Sequence, residues 1–475
     1  MAHAATPAKA KSAQAVNLKI PAFEAHRSQS ELAAMGKALR DKCPLESHAE
    51  WKPPKNRPDP VRLIEESDQG RLPELVPLRH GRMLQTPFTF YRGAALNMAA
   101  DLASMPTTNI RVQCCGDAHL VNFRGFGTPE RRVQFDIHDL DETLPAPWEW
   151  DVKRLAASFV IACRDNGLGD VCGADAARAC AQSYREHMIE YGKMRVLDVW
   201  YESLDAEELL PTLRDKETRR RAKRRLEKER EQGALELDFP ELAHKVGGTH
   251  MIKDNRPTIF HPSDENTSDA IIRETFAQYR ESLLPSVRLL LDRFEFKDWA
   301  LKVVGVGSVG TFCAVILFMA DDKDPMFLQV KEARASVLEA YAGKSIFPNH
   351  GERVVNGHRV MQSASDIFLG WTQGTGKLAR HFYIRQLRDM KLKPKVEVFD
   401  ATTMVQFGEW CGWTLARAHA RSGEPAMIRG YLGKSDTFDK AIAAFSIAYA
   451  DQTERDHALL KKAAQAGKLE VVLER

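Results

Sequence analysis

The sequence predicts an α+β protein of two lobes, on three observations. Its 475 residues exceed what one hydrophobic core usually organises. Helical spacing of apolar residues fills most of the chain before residue 297 and after residue 390. Between those positions, glycine-rich turns alternate with short apolar runs in the pattern of a β-meander. The order is therefore a tail over 1–45 expected to be disordered, a helical lobe over 46–296, a β-rich lobe over 297–390, and helices over 391–475 that complete the helical lobe.

Each segment has a local reason. Residues 1 to about 45 are low in complexity and then polar, and Pro53, Pro54, Pro58 and Pro60 keep the next stretch from forming a long helix. GAALNMAADLASM from Gly93 reads as a helix and NIRVQCC from Asn109 as a strand. NFRGFG and RRVQFDI read as two strands around the turn TPE. From Asp151, Val152, Leu155, Ala156, Phe159, Val160 and Cys163 follow helical spacing until Asn166-Gly167. Residues 175–232 are mainly helical. Within them TRRRAKRRLEKEREQ interleaves glutamates among its cations, as a solvated helix does and a nucleic-acid contact does not. Gly305 to Ala333 carries the meander, and FLGWTQ and HFYIRQLRD, separated by GTGK, add two strands. Phe407, Trp410, Cys411, Thr414, Leu415 and Ala418 then line one face of a helix. No internal repeat is present.

Composition bounds the partners. Lys and Arg total 68 against 65 Asp and Glu, a net charge of +3, so no global field attracts nucleic acid or an anionic membrane. An anionic ligand must be held locally. Eight cysteines without paired CxxC spacing sit in or near apolar stretches, which points to reduced packing residues and a cytoplasmic location. The first twenty residues lack an apolar signal region and no apolar run reaches a membrane span, so a soluble, unexported chain is expected.

The chemistry concentrates in CCGDAHLVNFRGFG, Cys114 to Gly127, and FDIHDLDE, Phe135 to Glu142. Phosphoryl transfer needs a carboxylate to orient the acceptor hydroxyl, and an amide and a carboxylate to hold Mg²⁺ on the phosphates. Asp117, Asn122 and Asp139 fit those roles in that order. Kinase catalytic loops use the same Asp-x-x-x-x-Asn interval, with a hairpin before the metal aspartate. Any one of these residues alone would read as a turn residue, and the ordered set is what carries the inference. Asp141 and Glu142 add charge that suits a second Mg²⁺, a cationic substrate or a hydrated turn.

GDAHLVNF, FDIHDLDE and PWEWDVKRLAAS resemble the signatures of a bacterial family known as domain of unknown function 2252, over a span from about Pro77 to the C-terminal helices. More distantly, Gly116-Asp117-x-His119-x-x-Asn122 is similar to the catalytic loop of aminoglycoside phosphotransferases and other small-molecule kinases. That resemblance implies a two-lobed, kinase-like fold. It also implies that Asp151, twelve residues after Asp139, anchors the catalytic loop, with His119 as further support. Cys115 stands where those enzymes usually carry His.

A kinase also needs a nucleotide clamp. The backbone of GVGSVGT, with Gly305, Gly307, Ser308 and Gly310, could approach phosphates without Cβ clashes. Lys331 ends the strand FLQVK in the place of the phosphate-binding lysine, with Glu339 as its expected acidic partner and Glu352 as the rival. ATP and Mg²⁺, with Mn²⁺ as an alternative, are the expected cofactors, and the acceptor is not legible. Asp139 precedes Lys331 by 192 residues, the reverse of kinase order, so the resemblance requires a circular permutation. Either TLARAHARSG or LNMAADLASM would then supply the helix packed before the catalytic loop. The permutation predicts that Lys331 and Asp139 face one cleft, roofed by Gly305 to Gly310 and floored by Asp117 and Asn122, with an adenine edge against the backbone of Gln386 to Arg388.

Two other classes compete. Asp117, His119, Asp136, His138, Asp139 and Asp141 would suit a dinuclear phosphoesterase, although the further Gly-Asp and Gly-Asn-His elements are lacking and Asn349-His350 has no leading glycine. A non-catalytic nucleotide sensor would treat Cys115 as a mark of decay. His138 reads as an alternating strand residue, His419 as a helix-packing histidine, and Trp148 and Trp150 as core. The expectation is an ATP- and Mg²⁺-dependent phosphotransferase, with adenylyl transfer from a reversed nucleotide left open.

Overall fold

A computed structural model describes residues 27–262, 269–387 and 392–474. The chain is a mixed α and β protein. Its strands are β1 Arg111–Cys114, β2 Phe123–Gly127, β3 Val133–Ile137, β4 Leu144–Pro147, β5 Ala243–Val246, β6 Thr249–Ile252, β7 Ile259–Phe260, β8 Glu295–Lys302, β9 Cys313–Asp321, β10 Asp324–Ala333, β11 Gly370–Gln373 and β12 His381–Gln386. The last six form one antiparallel sheet in the order β11-β12-β10-β9-β8-β7. Val315, Leu317, Leu328 and Val330 are buried there, as two-sided packing of a central strand requires. The sheet begins earlier than the expected boundary at 297, because Glu295 already belongs to β8 and β7 precedes it.

The main core is built by helices from both ends of the chain. Trp148–Asp165, Gly169–Tyr191, Ala401–Ala420 and Thr437–Gln465 pack together, and their buried residues, among them Trp148, Val160, Cys180, Cys411, Leu415 and Phe445, belong to one cluster. Trp148 stacks on Tyr184 with ring centroids 5.4 Å apart, and Trp148 and Trp150 are both buried. Asp400 accepts from the Thr403 N–H and so caps the helix Ala401–Ala420. All eight cysteines are buried and unpaired.

Two expectations about ends need correction. The tail expected over 1–45 contains a helix at Gln29–Ala38, capped reciprocally by Ser28 and Glu31 and packed on the helix Pro425–Leu432; residues 1–26 lie outside the described residues. The helix expected from Asp151 starts at Trp148, so Asp151 sits in its first turn. Three two-stranded ribbons, β1-β4, β2-β3 and β5-β6, complete the sheet structure among the described residues, and β1-β4 and β2-β3 carry the conspicuous motifs at their ends. No described helix is long and apolar enough to cross a membrane.

Candidate active site

β1 leads into a tight turn at Gly116, where φ is +80° and an added Cβ would lie 2.4 Å from the Glu142 carbonyl oxygen. Only glycine fits both constraints. The turn is pinned from below by Asp151. Its Oδ2 accepts from the Cys115 N–H at 2.5 Å and its Oδ1 from the Gly116 N–H at 3.0 Å. His419 Nε2 lies 3.2 Å from the same carboxylate and its Nδ1 2.9 Å from the Tyr184 hydroxyl. His419 is thus a buried linker on the helix Ala401–Ala420. The end of that helix also reaches β1, since Ser422 Oγ accepts from the Gln113 N–H at 2.9 Å.

Asp117 follows the turn. Arg154, one helical turn after Asp151, donates to Asp117 Oδ1 through Nε at 2.8 Å and Nη2 at 2.6 Å. Among the described residues no protein donor reaches Oδ2. Burial opposes the charge of Arg154, but Asp117 more than offsets it and the Arg154 pKa is raised. His119 is buried and faces the cations Arg92 and Arg154; burial pushes it down to about 3, with Asp117 opposing and the two cations adding to the fall. Its burial therefore favours the neutral imidazole.

Asn122 uses both ends of its amide on one residue. Oδ1 accepts from the Asp139 N–H at 2.7 Å and Nδ2 donates to the Asp139 carbonyl at 2.7 Å. Asn122 therefore clamps the backbone of Asp139 to the loop, and a metal would find one remaining lone pair on its oxygen.

Lys331 comes from β10, 192 residues after Asp139. Its Nζ lies 3.1 Å from both Asp139 oxygens and 2.6 Å from Asp141 Oδ2. The register that places Tyr383 opposite Lys331 also lets the Tyr383 hydroxyl donate to Asp141 Oδ1 at 2.5 Å. Lys331 is 3 % exposed, so its charge needs these partners. Burial opposes the Lys331 charge, but Asp139 and Asp141 raise its pKa well above that of free lysine. Burial likewise opposes ionisation of Asp139, while Lys331 and Arg385 hold it far below the usual carboxylate range. Asp141 moves the other way, pushed up by burial and by the Asp139 charge. The two carboxylates are thus set apart electrostatically although they share one lysine.

Glu339 and Glu352 are not the partners of Lys331. Glu339 is buried at the cavity wall with Lys344 Nζ 3.7 Å away, and Glu352 lies in the first turn of the helix His350–Met361. That helix instead presents Arg353, which donates to the carbonyls of Thr143 and Asp141 at 2.5 and 2.9 Å. The acid expected from the sheet side is supplied by Asp141 from the hairpin side.

One cavity of about 660 Å³ is lined by Asp117, Asn122, Asp139, Asp141, Lys331 and the turn Gly305–Ser308. His119 and Glu339 line it too, whereas Asp151 supports it from behind. Gly310 does not line it; its carbonyl accepts from the Leu72 N–H and its Cα faces Arg71. The adenine wall expected at Gln386 to Arg388 also needs correction. The Gln386 N–H is spent on Asp366 and the Leu387 N–H on the Phe327 carbonyl, and Arg388 lies outside the described residues. Of the residues named for a dinuclear cluster, Asp117, His119, His138, Asp139 and Asp141 line this cavity and Asp136 does not. Asp136 is buried against Arg417 and Ser363, and the three-donor set found among the described residues is Cys114, Asp151 and His419, already bonded to backbone and to one another.

Residues 71–463 match the model of a family described as an uncharacterized protein conserved in bacteria, DUF2252. The chain belongs to the DUF2252 family. No curated protein and no solved structure matches it. The matched span contains every residue of the cavity floor and of the glycine turn, so the site belongs to the DUF2252 region and not to an appended segment. Sequence reasoning missed Arg154, Arg353, Tyr383 and Arg385. Arg154 had a signal, the three-residue interval from Asp151 in one helix; the others depend on strand register and helix placement.

Proposed function

We propose that this DUF2252 chain is an ATP- and Mg²⁺-dependent phosphotransferase with a kinase-like fold in permuted order. The observation that carries the reading is the meeting of Lys331 with Asp139 and Asp141, 192 and 190 residues away, in one cavity with Asp117. Kinases place a glycine-rich turn between two strands, the phosphate lysine on the third, and an acidic hairpin below. β8, β9 and β10 follow that order, with Gly305 to Gly310 between the first two and Lys331 on the third. Asp151, buried beneath the loop, supports the same reading.

In this account Arg154 fixes Asp117 through Oδ1, and Oδ2 orients the acceptor hydroxyl and takes its proton. Asp139 and Asp141 are oxygen donors facing the cavity and fit a hard cation, with Asn122 holding Asp139 in place. Magnesium, when bound, would neutralise charge on the nucleotide phosphates. Lys331 would give up part of its hold on the carboxylates to contact a phosphate, and Gly305, Gly307 and Ser308 would close over it. Adenylyl transfer would use the same residues with the nucleotide reversed.

The test is calorimetric titration of ATP with and without Mg²⁺. Binding that requires the metal in the wild type, and loses that requirement in Asp139→Asn, is the expected result. Metal-independent affinity unchanged by the substitution would refute the assignment. Two tightly held transition metals would favour a phosphoesterase, and binding without turnover a nucleotide sensor.

A further inference from the structure

The cavity holds more cations than its proposed chemistry uses. Most of them are committed to protein partners. Lys331 is paired with Asp139 and Asp141, Arg79 with Asp68, Arg71 and Arg334 with backbone carbonyls, and Arg385 with the His138 carbonyl. Arg92, Arg124 and Lys393 differ. They line the same cavity, yet no hydrogen bond or ion pair engages their side chains among the described residues, and the Nε atoms of Arg92 and Arg124 are buried without an acceptor. Arg92 repels Arg124, and both repel Lys393, while Asp117, Asp139 and Glu397 attract members of the group without bonding to them. Arg92 and Arg124 are part-buried and Lys393 is exposed, and holding two part-buried guanidinium groups without a bonded acceptor on one cavity wall is costly unless an anion completes the site.

The cluster adjoins the acceptor side. Arg92 follows Tyr91, whose carbonyl accepts from Arg154 Nη2 at 3.0 Å, and the same Nη2 donates to Asp117. The Arg92 carbonyl in turn lies under the glycine turn, 3.0 Å from where a Cβ on Gly307 would stand. Arg124 is on β2, two residues past Asn122.

We infer that Arg92, Arg124 and Lys393 form a binding subsite for a phosphate group on the acceptor, so that the molecule modified at Asp117 is itself a phosphorylated, hydroxyl-bearing metabolite. Two guanidinium forks and an ammonium match a dianionic phosphate in charge and donor geometry better than a single carboxylate. The site is the wrong sign for a polycationic acceptor such as an aminoglycoside. The inference deepens the phosphotransferase reading and rests on it for the identity of the occupant.

The test uses the full chain and inorganic phosphate as probe, first without nucleotide and then with a saturating Mg²⁺ complex of a non-hydrolysable ATP analogue. Wild type should bind phosphate in both conditions, with acetate at least tenfold weaker. Arg92→Gln and Arg124→Gln should each weaken phosphate at least tenfold, Arg124→Lys should recover most of the loss, and affinity for the analogue should change less than twofold. Phosphate binding that ignores both glutamine variants, or acetate binding as tight as phosphate, would overturn the subsite. Phosphate displaced by the analogue would overturn its assignment to the acceptor. The first titration needs no nucleotide, so failure of the protein to bind ATP is read separately from failure of the anion site.

Discussion

Replacing Asp151 probes the support of the loop that carries Asp117. The carboxylate is 2 % exposed and accepts from the N–H groups of Cys115 and Gly116. Asn keeps one acceptor oxygen and turns an NH₂ toward the other amide, so Asp151→Asn removes one charge-assisted hydrogen bond, about 1.5–3 kcal/mol. Asp151→Ala removes both and leaves His419 without its carboxylate, about 3–6 kcal/mol. The turn cannot relax cheaply, because Gly116 is wedged against the Glu142 carbonyl. Denaturant unfolding should show alanine costing roughly twice what asparagine costs, by the arithmetic of lost bonds, and hydrogen exchange at Gly116 should accelerate in both variants. An Asp151→Asn variant within about 0.5 kcal/mol of wild type, below the range of a lost charged hydrogen bond, with unchanged exchange at Gly116, would refute the anchoring role.

Two further outcomes are expected. Asp117→Asn should retain Mg²⁺-dependent nucleotide binding and lose transfer by about 10² to 10⁴, the range of general-base contributions; equal loss of binding would make Asp117 a structural residue or a metal ligand. Burial pushes Lys153 down to about 8 from an ordinary 10.5, with Glu149 opposing. Between those values the unfolded chain binds the proton that the folded chain has released, so the Lys153 contribution to stability should rise with pH across that window by on the order of 3 kcal/mol, against the fall contributed by buried thiols whose ionisation burial opposes. The stability of wild type minus that of Lys153→Met should therefore rise with pH across the window, and denaturation curves with the same pH slope in both proteins would contradict the buried-charge account.

The parts of the candidate site that were legible in the sequence are those fixed by short sequence intervals. The spacing of Asp117, Asn122 and Asp139 places them together because one loop and one hairpin carry them. The partners of Lys331 were not legible, since they follow from the β10–β12 register and from how the hairpin meets the sheet. Glu339 is near in sequence, but its short helix Glu339–Ala342 leaves it at the cavity wall beside Lys344 and His350. The backbone around Gln386 looked open to an adenine because nothing in the sequence shows Asp366 and Phe327 taking its N–H groups. The helix Gln29–Ala38 did carry a signal, the Ser28-x-x-Glu31 capping box, hidden by the low-complexity residues before it.

The central claim is that one nucleotide is shared by Lys331, the glycine turn and the Asp139 hairpin. A crystal structure of the chain with Mn²⁺ and a non-hydrolysable ATP analogue, phased to locate the manganese by its anomalous signal, tests it most directly. The account predicts manganese bonded to Asp139, a phosphate within hydrogen-bond reach of Lys331 Nζ, and the turn Gly305–Ser308 over the phosphates. Manganese or nucleotide bound away from this cavity, with Lys331 still closed on Asp139 and Asp141, would contradict it.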